Sequence, residues 1–310
     1  MALATSIQAT PVRSRHHGKA IALLLVLCVV AAGVWALRSA GLGALSLREH
    51  CLTAVGGNVS DLDPEQAGNA AVIAAVSVHR KLPGRATTIA IATAMQESKL
   101  RNLDYGDRDS VGLFQQRPSQ GWGTRAQVHD PVYASNAFYN ALVKIAGYRT
   151  LDIATAAQHV QHSAYPEAYA DHVPAAKVMS SALDGFSPAT LTCVLHAAPR
   201  TATSSVVGED GLTSRARALL TAARTETGRT GALTATTNGE RGRALTFTVT
   251  GKDDSRLRWA LASWAVARAQ GLGIDQVTVN GRRWSRAHSP SRWTYVNGPA
   301  TTVVTVLVAR

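Results

Sequence analysis

Residues 20–37 (AIALLLVLCVVAAGVWAL) run for eighteen positions without a charged side chain. At 1.5 Å rise per residue, a helix of that length spans about 27 Å, close to the hydrocarbon thickness of a bilayer. Arg13, Arg15 and Lys19 precede it, with His16 and His17. The positive-inside rule then makes residues 1–19 a cytoplasmic tail and residues 20–37 a single-pass transmembrane anchor, with the bulk of the chain extracytoplasmic at a cell membrane. A cleaved signal peptide and a buried helix are the alternatives. The apolar run is longer than the usual signal-peptide core of ~7–15 residues, and no clean Ala-x-Ala site follows it. Residues 38–50 read as a tether.

The cysteines fit that placement. Cys28 lies inside the apolar run and reads as a small hydrophobe, which leaves Cys51 and Cys193. Outside the cytoplasm two lone cysteines point to a disulfide rather than a redox motif or metal site, with two free buried thiols as the alternative. The net charge of +12 suggests anionic wall polymers or lipid headgroups. Nucleic acid is not expected, since no basic helix or RNA-binding motif appears.

Between the cysteines, residues 51–193, the chain reads as helical throughout. Asp63-Pro64-Glu65-Gln66 carries a cap, a first-turn proline and a glutamine three residues after the cap. Ala67, Ala70, Ala71, Ala74, Ala75 and Val78 follow at helical spacing, and Leu82-Pro83-Gly84 ends the helix. A second helix is expected over 86–98, a third from Asp130-Pro131, and two more near 151–163 and 166–183. The long loop region 99–129, dense in Gly, Asp, Gln, Arg and Trp, is where chemistry is expected. Residues 194–212 read as a linker. Residues 213–310 read as a small α+β domain of unknown role, with helices over 214–227 and 256–270. Its strands are expected over 245–250, 276–279 and 301–308, with a hairpin turn at Asn280-Gly281. Trp259 and Trp264 are expected to face the sheet, while Trp284 and Trp293 are the surface candidates for contact with a wall-protein partner.

Glu97 ends the alanine-rich second helix. Its neighbours three, four and seven residues back are Ala94, Thr93 and Ala90, a small and largely apolar face. Desolvation and the negative end of the helix dipole both raise the pKa of a carboxyl placed there. A carboxylic acid held neutral can protonate a leaving oxygen. The alternative is a solvated glutamate at a fraying helix end.

An apolar helix ending in Glu97-Ser98, then Ser110, then Gly112-Leu113-Phe114-Gln115, resembles the lysozyme-like superfamily, in particular lytic transglycosylases. Gly106-Asp107-Arg108-Asp109-Ser110 with Phe114-Gln115-Gln116-Arg117-Pro118 resembles an actinobacterial, membrane-anchored branch of it. The resemblance implies a mainly α lysozyme-like catalytic domain over 51–193, between the transmembrane helix and the small α+β domain. It implies cleavage of peptidoglycan glycan strands at the MurNAc–GlcNAc β-1,4 bond with Glu97 as the acid/base, and no cofactor or metal. It places Gln115 and Gln116 at sugar subsites, with Ser110 and Gly112 beside them, and Trp122 is a candidate for stacking on a sugar face. Asp104, Asp107 and Asp109 either fold the loop or supply a second carboxylate, which would make a muramidase-type hydrolase. The Tyr-Asn-Ala-Gly motif that such enzymes commonly carry is absent from residues 158–166. Gln161 or Tyr165 is expected to take over its contacts, and a non-catalytic glycan-binding protein is the competing class. His159, His162 and His172 lack a third ligand at metal spacing and read as ordinary histidines.

Overall fold

A computed structural model describes residues 48–163, 166–199, 206–228, 235–237, 240–249, 253–296 and 302–310. Residues 48–310 form one compact unit. It opens with a hairpin. Gly56 and Gly57, with φ of 57° and 82°, make the left-handed pair that joins β1 (His50–Val55) to β2 (Asn58–Leu62). β3 (Leu191–Val194) pairs antiparallel on the other side of β1 and sets Cys193 directly opposite Cys51, to which it is disulfide-bonded. The bond closes a loop spanning 142 positions, worth about 5 kcal/mol in the chain-entropy model.

The helices begin where their caps direct. Asp63 accepts from the Gln66 amide and Gln66 reaches back to Asp63, starting α1 (Pro64–His79). α2 spans Gly84–Ser98. Thr124 caps α3 (Arg125–His129), Asp130 caps α4 (Pro131–Leu142) and Asp152 caps α5 (Ile153–Gln161). A 3-10 segment, Pro166–His172, leads into α6 (Val173–Leu183). In the second half lie α7 (Ser214–Thr227), α8 (Asp254–Ala267) and α9 (Ala269–Leu272).

A second sheet holds β4 (Ala235–Thr237), β5 (Ala244–Thr248), β6 (Ile274–Val279), β7 (Arg282–Ser285), β8 (Thr294–Tyr295) and β9 (Val303–Val308). Its order is β4-β5-β9-β6-β7-β8, with every pairing antiparallel. Asn280 and Gly281, at φ of 47° and 69°, turn β6 into β7.

The expectation of a mainly α domain trailed by a small α+β domain is corrected by these elements. Two antiparallel sheets flank the helices, and the architecture is α+β. The physical reason lies in α8. Every residue from Arg258 to Ala267 is buried, so after its first turn this helix has no solvent face and needs neighbours all round. It packs against β6 and β9 of the second sheet, and also against α1, α6 and β3. Trp284 and Trp293 are 0% and 8% exposed, not at the surface as expected. The Trp284 indole donates to the Cys193 carbonyl at 3.2 Å and the Trp293 indole to that of Leu191 at 2.8 Å, joining both halves of the chain at β3. The expected transmembrane segment, residues 20–37, lies outside the described residues. Among those described, no helix is long and apolar enough to cross a membrane.

Asp184 sits at this junction, 2% exposed. Thr87 Oγ1 donates to its carboxylate at 3.1 Å, and Arg256 donates to its carbonyl at 2.8 Å. Burial pushes the carboxyl up to about 8, against the opposing pull of Thr87 and Arg256. The folded protein therefore keeps a proton that the unfolded chain releases above about pH 4. Stability from this group is full below that pH and falls progressively as pH rises toward 8. Asp184→Asn, which does not ionise, should escape that loss. Its thermal midpoint should rise relative to the parent protein between pH 4 and pH 8, and a pH-independent gap would contradict the assignment.

Candidate functional site

Helix α2 is buried without interruption from Ala86 to Ala94, and its last turn brings Glu97 out at the floor of a groove. The helix stops there because Lys99 and Leu100 are both left-handed, at φ of 54° and 58°. Neither is glycine, so the turn is costly by itself and needs external support. Two α1 side chains supply it: Gln66 Nε2 donates to the Lys99 carbonyl and Asn69 Nδ2 to that of Leu100, each at 2.8 Å. The Leu100 side chain is fully buried. Ser98 fastens the helix end to the following loop, since its Oγ donates to Ala94 O at 3.0 Å and to Leu113 O at 2.8 Å.

The Glu97 carboxyl has two polar neighbours. The Tyr169 hydroxyl donates to its Oε1 at 2.6 Å, and the Gln161 amide also hydrogen-bonds it. Burial raises its pKa above the ordinary carboxylate value, and the hydrogen bonds from Tyr169 and Gln161 oppose that rise only in part. Burial, together with the same carboxylate, pushes the Tyr169 phenol upward, so Tyr169 stays a donor. The pair is a neutral-leaning acid held in one orientation.

The groove has a volume of about 710 Å³, within the range of small-ligand sites. Loop residues from Gln115 to Trp122 form one wall, Ala141, Lys144 and Ile145 at the end of α4 another, and His159 to Ser163 a third. Among the described lining residues Glu97 is the one carboxylate, while Lys144 brings positive charge and Arg117 is paired with Asp109.

Of the residues singled out from sequence, Glu97, Gln115, Gln116, Trp122 and Gln161 meet in this groove. Their roles differ. Gln116 is 2% exposed and donates to the Ala134 carbonyl at 3.2 Å, tying the loop to α4. Gln115 holds the loop through Gly112 O and Tyr105 O at 3.2 and 3.3 Å. Gln161 bonds Phe114 O at 2.7 Å as well as Glu97, so it couples the acid to the loop. Ser110 and Gly112 are buried within the loop and do not line the groove. Tyr165 lies outside the described residues. Asp109 is a loop-former: it accepts from the Ser119 amide at 2.8 Å and hydroxyl at 2.9 Å and from Arg117 at 3.1 Å, and these bonds hold it at about 2. Asp104 and Asp107 stand outside the lining. His159 and His162 line the groove, whereas His172 pairs with Gln96 at 3.0 Å. No cluster of three or more metal-capable side chains occurs among the described residues.

Sequence reasoning missed Tyr169 and Lys144, and it quoted Arg117 in a motif without giving it a role. The run Pro166-Glu167-Ala168-Tyr169 carries an aromatic three residues after a proline, but nothing local shows that the tyrosine folds back 72 positions onto Glu97.

Gly112 offers a test of how the loop is built. Its φ is +80°, and a Cβ there would lie 2.3 Å from the Val128 carbonyl oxygen. Gly112→Ala should therefore cost roughly 2–4 kcal/mol of unfolding free energy by urea titration, from left-handed strain and overpacking together. A change within ±0.5 kcal/mol would mean the loop is not held as described. No protein-family model matches the sequence and no curated protein matches it, which leaves the geometry around Glu97 to carry the chemistry.

Proposed function

We propose that this protein cleaves peptidoglycan glycan strands at the MurNAc–GlcNAc β-1,4 bond, with Glu97 as its single acid/base. The observation that carries the reading is a carboxyl with a raised pKa, fixed by Tyr169 and Gln161 at the floor of a groove with no second described carboxylate. The resemblance of Glu97-Ser98 and Gly112-Leu113-Phe114-Gln115 to lytic-transglycosylase motifs points the same way. The disulfide agrees with an oxidising, extracytoplasmic setting.

Neutral Glu97 donates its proton to the glycosidic oxygen as the C1–O4 bond breaks. The positive charge developing at C1 is met by the substrate's own N-acetyl group. The Glu97 carboxylate then removes the proton of the same sugar's 6-hydroxyl while that oxygen closes on C1. The products are a 1,6-anhydro end and a new GlcNAc end, with no water consumed. A hydrolase of the two-carboxylate kind would need a second acid near the bond, and Asp109 is already bound to Ser119 and Arg117. Tyr169 and Gln161 would be positioning residues, holding the carboxyl toward the bond. Lys144 suits strands that bear carboxylates.

Digestion of purified sacculi, read by mass spectrometry, tests this. The protein should release anhydro ends, and Glu97→Gln, still folded by circular dichroism, should lower the rate by at least about 10²-fold. Reducing ends would replace the proposal with a muramidase, and absence of cleavage would leave a glycan-binding protein. Activity should fall as pH rises through the Glu97 pKa, because the protonated acid is the working form. Tyr169→Phe removes a bond that favours the carboxylate, so the alkaline limb of its pH–rate profile should move to higher pH.

A further inference from the structure

A second cleft, of about 710 Å³, opens among Arg243, Asp275, Arg286 and Arg310 where β6 meets β9. The pairing of those strands shifts register between Ile274 and Gln276, and Asp275 is the extra residue. Its carboxylate lies 3.7 Å from Arg243 and 3.7 Å from Arg286, beyond hydrogen-bond distance from both.

Main-chain carbonyls fix the two guanidiniums. Arg286 is 6% exposed; its Nε donates to Ile274 O at 2.9 Å, one terminal nitrogen to His196 O at 2.7 Å and the other to Ala269 O, so it serves the cleft as an oriented charge with its remaining N–H bonds. Arg243 grips Val308 O with two nitrogens at 3.0 and 2.7 Å. Carbonyls orient a guanidinium without cancelling its charge. Arg215, a fourth arginine, donates to the main-chain oxygen of Arg310 at 3.2 Å, which leaves the exposed Arg310 side chain on the cleft rim. Arg215, Arg243, Arg286 and Arg310 therefore stand in and around the cleft against two carboxylates, Asp275, which is loosely held, and Glu49, which also acts on Arg286. Both anchored arginines brace the ends of strands. A pre-oriented, partly desolvated pair of donors with surplus positive charge suits a compact polyoxygen anion.

We propose that this cleft binds a phosphate group, with Arg243, Arg286 and Arg310 as donors and Asp275 as the charge that moderates affinity. The reading is independent of the chemistry at Glu97. The phosphate can come from free inorganic phosphate or from an anionic glycerol-phosphate polymer.

The test titrates the full chain with inorganic phosphate at low ionic strength, following the side-chain Nε–H signals of Arg243 and Arg286 by NMR. Saturable shifts of both are expected. Arg310→Gln should weaken binding about tenfold, the loss of one charge-assisted contact. Asp275→Asn should tighten it by a similar factor, a sign that a purely structural role for Asp275 does not give. A parallel titration with poly(glycerol phosphate) separates the sources: tighter binding per phosphate assigns the polymer, and equal binding assigns the free ion. Either supports the site. Absence of saturation with both probes, or Asp275→Asn weakening binding or leaving it unchanged, overturns it. Should Asp275→Asn fail to fold, the Arg310→Gln comparison still decides.

Discussion

The burial of α2 is the constraint from which the site follows. A helix enclosed from Ala86 to Ala94 has no freedom to turn its last carboxyl toward bulk water. Ordinary helix ends fray, and a glutamate at a frayed end has an ordinary pKa. Here fraying is prevented by consecutive left-handed residues, Lys99 and Leu100, held by two amide side chains of α1 and by the buried Leu100 itself. Glu97 is thus delivered to a fixed place, half-covered, with Tyr169 and Gln161 as its partners. Ser98 and Gln161 both bond carbonyls of the Leu113–Phe114 segment, so the acid and the groove wall share one hydrogen-bonded frame.

Much of this was legible in local sequence and some was not. Helix starts at Asp63, Asp130 and Asp152 are capping events within three residues, and alternation with Asn280-Gly281 marks the β6–β7 hairpin. Glu97 could be picked out because its small neighbours repeat at helical spacing. The first sheet escaped notice because β3 is four residues long and pairs with a strand about 140 positions earlier. Gly56-Gly57 was the available signal for β1 and β2. The mainly α reading failed for the same reason: helices declare themselves locally, whereas sheets of this kind form through distant partners. Tyr169 reaches Glu97, and Lys144 the groove, by tertiary packing alone.

The second half of the chain is part of the body that carries the groove. α8 is enclosed on all sides from Arg258 to Ala267, and the indoles of Trp284 and Trp293 bond the carbonyls of β3, the strand that also bears Cys193. Disulfide, sheet and buried tryptophans therefore converge at one place. The arginines behind the +12 net charge divide into two kinds in the structure. Arg256 and Arg286 bond main-chain carbonyls at element ends, while others, Arg310 among them, leave their charge exposed.

The central claim is that the Glu97 carboxyl remains protonated to higher pH than a free glutamic acid, in a groove where that proton can be delivered. Selective carbon-13 labelling of glutamate, with Glu97→Gln to assign its resonance, allows its carboxyl to be titrated directly by NMR. The account requires a midpoint clearly above 4.5, the ordinary glutamate value. A midpoint at or below that value would show a solvated carboxylate and would contradict it.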